Sequence, residues 1–456
     1  MERLGQEEAR LRGLEDERRR VVERIASLKA ELPATQARRQ GYLPLPILGT
    51  AAVPGTPLEK VALFRSLFRG REDVYPKHWS NSRTGRKGYA PACGNEWVPG
   101  VCEKPQVKCG DCPHQAFLPV TDQVVRDHLE GKHVIGVYPL LEDETCWFLA
   151  ADFDKASWTE DVAVFVETSK ENGVPAAVER SRSGNGAHVW FFFEAPVRAS
   201  VARRMGCFLL TAAMSKRPEL GMASYDRLFP NQDTMPRGGF GNLIALPLQH
   251  GPRKVQNTVF LDESFRPHVK QWAFLASVPR ISPALVESIA GEAAREGRVI
   301  GLRHPAAQED DGNGGSPWSR SPSRKSRRLR ITGPVPAEVH AVLAQRLFVA
   351  KEGVPPALLS EVQRLAAFQN PEFYKKQNLR LSTALTPRVI SCADDLPGHV
   401  ALPRGCREDL EALLRDQESR LVVEDQREEG EPLELRFHGE LTSVQAEASR
   451  ALLEHD

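Results

Sequence analysis

The sequence predicts an α+β protein with more than one domain, and three observations carry this prediction. Between residues 133 and about 280, short runs rich in β-branched and aromatic residues alternate with segments of helical periodicity. A cysteine-rich segment precedes that region, and a charged stretch with helical periodicity begins the chain. The 456 residues are enough for two or three domains with at least one large core.

Composition limits where evidence for function can lie. The 61 Lys and Arg residues nearly cancel the 60 Asp and Glu residues, so bulk charge does not indicate a nucleic-acid partner. No apolar run reaches the roughly 18 to 20 residues that a bilayer span requires. The first twenty residues are too charged for a signal peptide. We therefore expect a cytoplasmic protein without a membrane segment, in which the eight cysteines are metal ligands or buried thiols.

Residues 1–36 are predicted to form a charged helix. Apolar residues recur at one heptad position and again three residues later: Leu4, Leu11, Ile25 and Leu32, then Leu14, Val21 and Leu28. Glu7 and Arg18 interrupt this seam. Two interpretations stay open, a solvated helix that packs on its own domain and a coiled coil that forms a dimer. Residues 37–57, rich in Pro and Gly, are predicted to be a linker.

Residues 58–132 are predicted to form a helical, zinc-binding module. Four cysteines lie in a short stretch rich in Gly, Pro and charge: Cys93, Cys102, Cys109 and Cys112. Four thiolates satisfy tetrahedral zinc, and a segment this polar needs a metal to hold its shape. His114 is an alternative ligand. With four protein ligands the zinc would be structural. The other cysteines are predicted to be buried or incidental thiols: Cys146, Cys207, Cys392 and Cys406.

Two aspartates end a predicted buried strand, "TCWFLAADFD". Residues two apart on a strand point to the same face, so Asp152 and Asp154 would project together. Two neighbouring carboxylates repel each other unless a cation lies between them, and such a pair suits Mg or Mn with a triphosphate. By itself, the pattern is also typical of the start of a loop.

A glycine-rich turn follows about thirty residues later, in "AVERSRSGNGAHVWFFFE". Gly and Asn allow the positive φ angles of a hairpin loop, whose bare N–H groups can hold a phosphate. His188 would begin the return strand, within reach of a triphosphate, and Arg180 and Arg182 add positive charge. A surface hairpin and a core histidine are the alternatives for each feature alone. A third carboxylate would complete the site, and Asp226 and Asp233 are the candidates.

The C-terminal third differs in composition. Residues 301–335 pass from acidic to Gly/Ser/Pro-rich to basic and are predicted to be a disordered linker. Residues 336–456 form a second, mixed region. No Gly-x-x-x-x-Gly-Lys-Ser/Thr sequence occurs in the chain, so an ATPase motif is absent from it.

Together these residues resemble the archaeo-eukaryotic primase-polymerase superfamily. The stretches "GYAPACGNEWVPGVCEKPQVKCGDCPHQAF", "DETCWFLAADFDKASW", "ERSRSGNGAHVWFFFE" and "YDRLFPNQDTMPRGGFGNLIALPLQ" are similar to the primase domain of TOTE conflict systems and to CRISPR-associated primase-polymerases. The resemblance covers roughly residues 58–280. It implies a catalytic core, placed at residues 133–300, with an RRM-like antiparallel sheet and a companion αβ unit.

The resemblance also implies roles for the site residues. Asp152 and Asp154 match the metal-binding aspartates of the first motif, for two Mg or Mn ions. The nucleotide-binding second motif matches at Ser183, Gly186 and His188, with Gly184, Arg182 and Lys155 as neighbours expected to help. In the third motif a hydrophobic residue precedes the aspartate, which Tyr225-Asp226 fits better than Gln232-Asp233.

The expected function is that of a DNA-directed primase-polymerase in a mobile-element or defence system. Its partners would be a DNA template, a primer and nucleoside triphosphates, with a helicase or nuclease module in the same system, because residues 336–456 resemble the segment that precedes a superfamily-two helicase. Two alternatives stay open. One is a non-catalytic zinc-containing nucleic-acid-binding module associated with a helicase, and the other is a metal-dependent nuclease. The sequence does not choose between ribonucleotides and deoxynucleotides.

Overall fold

The computed structural model describes residues 53–302, 331, 334–428, 430 and 438–453, which belong to one compact unit. Three segments with predictions attached lie outside the described residues: the expected helix at 1–36, positions 37–52 of the linker, and positions 303–330 between the core and the C-terminal region. Among the described residues, no helix has both the length and the apolar composition needed to span a bilayer.

The N-terminal part of the described chain combines helices with a small hairpin. Helix α1 (Pro57–Leu67) begins at a capping box in which the Thr56 hydroxyl and the Glu59 carboxylate each accept from the other's backbone N–H. Strands β1 (Pro76–Ser80) and β2 (Lys87–Pro91) pair as an antiparallel hairpin. The cysteine-rich segment follows, and then come α2 (Asp122–Glu130) and the short strand β3 (Gly136–Val137).

The centre of the molecule is a five-stranded antiparallel sheet. Its strands are β4 (Thr145–Phe153), β5 (Ala177–Arg180), β6 (Ala187–Arg198), β7 (Leu228–Phe229) and β9 (Phe260–Leu261). They lie in the order β7-β4-β6-β5-β9, which puts the two longest strands side by side in the middle. Strand β8 (Ile244–Ala245) pairs with β3 outside this sheet.

Helices connect and cover the sheet strands. They are α3 (Trp158–Glu171), α4 (Ala199–Met214), α5 (His250–Arg253), α6 (Gln271–Ser277) and α7 (Pro283–Arg295). Two 3₁₀ helices, Pro218–Leu220 and Met222–Arg227, lead from α4 into β7. The antiparallel sheet with its helices confirms the α+β prediction for the described residues.

The central strand β6 is buried on both faces, since all four aromatic side chains at 190–193 are at most 2% exposed. Successive strand residues point to opposite faces. Phe68, just after α1, meets Trp190 and Phe192 edge-on at 5.0 and 5.3 Å between ring centroids. On the other face Phe165 of α3 meets Phe191 at 5.8 Å. Layers of helix therefore cover the sheet on both sides, which explains why the sequence "VWFFF" shows no polar alternation.

The C-terminal region contains a second five-stranded sheet, which the sequence pattern did not resolve into elements. Strands β10 (Glu338–Leu343), β11 (Leu347–Ala350), β14 (Asp394–Asp395), β15 (His399–Leu402) and β16 (Arg420–Asp425) lie in the order β14-β15-β11-β10-β16. Helices α8 (Pro356–Leu365) and α10 (Arg407–Arg415) pack on it around a separate apolar core.

Between these sheet strands the chain makes a small extension. Strands β12 (Ala367–Gln369) and β13 (Val389–Ser391) pair around α9 (Pro371–Asn378). Helix α11 (Ser443–Leu453) is the last described element. The extension packs against the region that carries the central sheet, since β13 contacts the 3₁₀ helix Met222–Arg227.

Candidate active site

Three titratable side chains lie in one row across the central sheet. Asp152 of β4 is opposite His188 of β6, and His188 is opposite Glu179 of β5. Directly opposed residues in antiparallel strands share a face of the sheet. The row therefore aims two carboxylates and an imidazole at the same side, near the ends of all three strands.

His188 is held between the two carboxylates. Its Nδ1 lies 2.9 Å from Glu179 Oε2, and its Nε2 lies 3.7 Å from Asp152 Oδ1. The Trp190 indole N–H donates to the same Glu179 oxygen at 3.0 Å. Burial disfavours the imidazolium, but the charge of Glu179 and its hydrogen bond, together with Asp152, outweigh burial and raise the pKa of His188. The row therefore favours a protonated histidine beside Asp152.

Arg227 bridges the two aspartates of the first predicted motif. Its Nη1 lies 3.3 Å from Asp152 Oδ2 and 2.8 Å from Asp154 Oδ2. Burial raises the pKa of Asp152, and the charge of Asp154 adds to this, while His188 and Arg227 oppose it. Two converging carboxylates with a cation between them are an oxygen donor set of the kind that Mg and Mn take.

The Ser183–Gly186 turn lies directly beside the aspartates. The Ser181 N–H donates to the Gly186 carbonyl at 2.8 Å, which closes the loop between β5 and β6. Gly184 has φ +82°, a conformation that favours glycine. A Cβ on Gly186 would clash with the Phe153 carbonyl oxygen and lie 3.3 Å from the Asp154 Cα. The Ser183 Oγ accepts from the Asn185 N–H at 3.2 Å. Backbone of the second motif therefore touches backbone of the first.

The two basic residues expected to help at the nucleotide site point in different directions. The Arg182 guanidinium lies close to the hydroxyl of Tyr89 in β2. Lys155 Nζ donates to the carbonyls of Glu219 and Leu220 at 2.9 and 2.8 Å, so it binds the 3₁₀ helix that precedes the third motif.

The two candidates for the third carboxylate have different surroundings. Asp226 directly precedes Arg227, and its Oδ1 accepts the Arg388 backbone N–H at 2.8 Å. Burial raises the pKa of Asp226. Asp233 instead pairs with the buried Arg203 through two contacts of 2.5 Å. Although burial opposes its ionisation, Arg203 outweighs burial and lowers the pKa of Asp233 to about 2.

The four cysteines of the predicted zinc module line one small cavity, which His114 also lines. All four are free thiols. In the described part of the chain, however, no three His, Cys, Asp or Glu side chains are grouped closely enough to hold an ion as they lie. Four thiols around one cavity are nevertheless the donor set of structural zinc. Of the other cysteines, Cys146 and Cys207 are buried and Cys392 is exposed.

Sequence reasoning missed three residues of this site. Glu179 lies between Val178 and Arg180 in β5 and is 1% exposed, and its pairing with His188 depends on strand register. Arg227 directly follows Asp226 in the sequence, and this proximity to a predicted site residue could have identified it. Arg388 belongs to the C-terminal extension, and no local pattern connects it with residues 150–230.

Comparisons with known proteins give a family match and a structural likeness. Residues 59–289, just over half of the chain, match the family model described as the archaeo-eukaryotic primase domain of TOTE conflict systems. Among solved structures, the chain is similar to the polymerase domain of Mycobacterium tuberculosis Ligase D in complex with DNA. That likeness has a TM-score of 0.27 and 14% identity, and it covers 54% of this chain and 88% of that chain. No curated protein matches significantly.

Proposed function

Because the chain belongs to the archaeo-eukaryotic primase family of TOTE conflict systems, we propose that it is a template-dependent nucleotidyltransferase that synthesises or extends strands on a DNA template. The observation that carries the proposal is the contact between the Gly186 turn and the Phe153-Asp154 backbone. This contact puts a phosphate-binding type of loop beside two converging carboxylates. Neither feature alone separates an enzyme from a binding module.

Asp152 and Asp154 are proposed to hold the catalytic Mg or Mn ions. Bound there, two such ions supply charge neutralisation at the phosphates and activation of the attacking hydroxyl. Arg227 now lies between the carboxylates, and its side chain is 46% exposed, so it has room to move away when ions bind. In its new position the guanidinium would be available to the triphosphate, since it remains beside the same site.

His188 is proposed to bind a phosphate oxygen of the incoming nucleotide. Glu179 positions the ring through Nδ1, which leaves Nε2 directed toward the side of Asp152. The raised pKa of His188 favours this nitrogen as a donor. Ser183 and the N–H group of Gly186 would contribute further donors from the turn, whereas the Gly184 N–H already donates to the Ser181 carbonyl at 3.1 Å.

Asp226 is proposed as the third carboxylate. Asp233 is already saturated by Arg203 and by Gln377, whose Nε2 donates to Asp233 Oδ2 at 3.0 Å. Asp226 accepts the Arg388 N–H, and its neighbour Arg227 contacts both other aspartates. Its place next to Arg227 therefore supports Asp226 over Asp233 as the third carboxylate.

The decisive test is nucleotide incorporation on a single-stranded DNA template, with and without primer, using ribonucleotides and deoxynucleotides in parallel. We expect Mg- or Mn-dependent incorporation that is abolished in the variant Asp152→Asn/Asp154→Asn. A chain that binds DNA but incorporates nothing with any divalent metal would instead be the non-catalytic binding module. Degradation of labelled DNA in the absence of nucleotides would identify a nuclease.

Several wider features are proposed from the sequence and the family. The protein would act in a mobile-element or defence setting, beside a helicase or nuclease module. Zinc would stabilise the Cys93–Cys112 segment. The N-terminal helix would be a candidate dimer contact, and the protein would act in the cytoplasm.

A further inference from the structure

The hairpin of β1 and β2 has a charge balance unlike that of the whole chain. From Val74 to Asn95 the sequence contains no Asp or Glu, whereas the complete chain has a net charge of +1 with nearly equal numbers of acids and bases. The basic residues of this stretch are Lys77, Arg83, Arg86 and Lys87, and all four side chains are exposed. Within the described residues, no carboxylate pairs with any of them. Such segregation creates a local positive surface.

An aromatic side chain lies among these cations. Trp79 is opposite Gly88 in the hairpin, and a Cβ at Gly88 would lie 3.1 Å from its ring. The ring therefore rests on bare backbone, and 43% of the residue is exposed. A flat ring supported from below offers its outer face to a base, and stacking on such a ring is how proteins bind single strands without sequence preference.

The hairpin is anchored at its base and free at its tip. The His78 N–H donates to the Val134 carbonyl at 2.8 Å, and the Lys77 backbone forms an isolated antiparallel β-bridge with Ile135. At the other end, the Asn81 side chain accepts the N–H groups of Arg83 and Thr84 at 2.9 and 3.1 Å, which holds the turn in one shape. All side chains from Trp79 to Lys87 are exposed. The surface is thus preorganised and needs little ordering to bind.

The inner face of the hairpin meets the candidate nucleotide site. His78 and Tyr89 are opposed in register and pack edge-on at 5.2 Å between ring centroids. The Arg182 guanidinium of the glycine-rich turn lies close to both of these side chains. By register Lys77 and Trp79 share the opposite face of the hairpin, whereas Lys87 shares the face of His78 and Tyr89. A strand that leaves the nucleotide site in this direction therefore meets basic residues on both faces of the hairpin.

We propose that this hairpin is a single-stranded nucleic-acid arm, on which Trp79 stacks against a base while the basic residues contact phosphates. The inference rests on the proposed function in one respect: it assumes that the nucleic-acid strand runs from the nucleotide site to the hairpin. The partner class follows from charge and shape: an acidic polyanion with flat rings matches the alternation of cations and a supported tryptophan.

The test measures binding without nucleotides, so it does not depend on catalysis. Labelled single-stranded DNA and RNA of equal length, and the same DNA as a duplex, are titrated with the full chain, and fluorescence anisotropy gives Kd. We expect Trp79→Ala to raise Kd for single strands about tenfold, the range typical of loss of one stacked base. Trp97→Ala removes a tryptophan that is 65% exposed outside the hairpin and should leave Kd unchanged.

A second variant tests the charges. Log affinity falls as log salt rises, and Arg83→Gln/Arg86→Gln should make this slope shallower by roughly 1.4. Each lost phosphate contact on a single strand contributes about 0.7 to its magnitude. The control Arg404→Gln/Arg415→Gln removes the same charge from exposed positions of the C-terminal region and should not change the slope. All substituted residues are exposed, and thermal melting will verify that each variant is folded.

Two results would overturn the proposal. One is equal single-strand affinity in wild type, Trp79→Ala and the double arginine variant. The other is tighter binding of duplex than of either single strand, reduced equally by the hairpin variants, which would make the hairpin a duplex-binding surface. Loss of binding in the variants, together with a wild-type protein that incorporates no nucleotide, would leave the arm intact and refute only the proposed enzyme.

Discussion

The backbone N–H of Arg388 donates to the carboxylate of Asp226 at 2.8 Å, across 162 positions of the chain. The Arg388 side chain is fully buried, its Nη2 donates to the Asn231 carbonyl at 2.5 Å, and its guanidinium stacks 4.2 Å from the Phe373 ring centre. Arg364 of α8 makes a parallel contact, since its Nη2 donates to the Tyr225 hydroxyl at 3.2 Å. The C-terminal region therefore donates a hydrogen bond to each residue of the predicted third motif, Tyr225 and Asp226.

We expect Arg388→Ala to weaken both stability and nucleotide incorporation. Loss of the stacked guanidinium leaves a hole and an unsatisfied carbonyl, at a cost of about 2–4 kcal/mol in the free energy of unfolding. Because the backbone at Arg388, which donates to Asp226, becomes less rigid, kcat should fall more than KM rises. Chemical denaturation and steady-state incorporation measure the two effects. Arg404→Ala, at an exposed position of the same region, should match wild type in both.

Asp226→Asn and Asp233→Asn should separate catalysis from stability. Removing the charge of Asp233 leaves Arg203 buried without its partner, which costs about 3–5 kcal/mol. Asp226→Asn should not lower the melting temperature but should abolish incorporation. If Asp233→Asn instead abolished incorporation without loss of stability, the choice of Asp226 as third carboxylate would be wrong.

The ion pair of Asp233 also predicts acid sensitivity. Its pKa in the folded protein is about 2, below the ordinary value of 3.8. A carboxylate with a lowered pKa contributes stability above its unfolded pKa and loses that contribution as pH falls toward the folded value. We therefore expect wild type to lose stability between about pH 4 and pH 2 more steeply than Asp233→Asn, measured by denaturation at a series of pH values.

Asp152→Asn should make the metal-free protein more stable at neutral pH. Burial raises the pKa of Asp152, so folding favours its protonated form. The stability from that preference is present below the unfolded pKa and is lost as pH rises through the raised folded pKa. A neutral isostere avoids the loss, so the melting temperature should rise by a few degrees near neutrality and converge with wild type at acid pH. A lower melting temperature at every pH would contradict this.

Glu179→Gln should shift the pH dependence of catalysis. Glu179 is the main group that raises the pKa of His188 against the effect of burial, so its neutral isostere should lower that pKa. The favourable charge on His188 is lost as pH rises through its folded pKa, and the alkaline limb of the incorporation profile should therefore move to lower pH. His188→Ala should remove that limb and reduce the rate about a hundredfold. An unchanged profile in Glu179→Gln would leave Glu179 only a structural role.

The sequence predicted those parts of the site that depend on local pattern. The strand that contains Asp152, which ends at Phe153 just before Asp154, the turn at Ser183–Gly186 and the α+β class follow from periodicity, turn chemistry and motif order. The partners of His188 depend on the register of three strands, which hydrophobic pattern does not specify when both sheet faces are buried. The contact between Arg388 and Asp226 depends on packing of two regions far apart in the chain. Pairings of that kind leave no periodic signal.

The contact of Gly186 with the Phe153 carbonyl has a consequence for how this protein can vary. The separation between turn and aspartates is set by backbone touching backbone, with no side chain that could be lengthened or shortened to adjust it. A change of register in either strand would be transmitted directly to the other. The two motifs therefore behave as one rigid unit, in which the distance between the Gly186 turn and the Asp154 backbone is fixed.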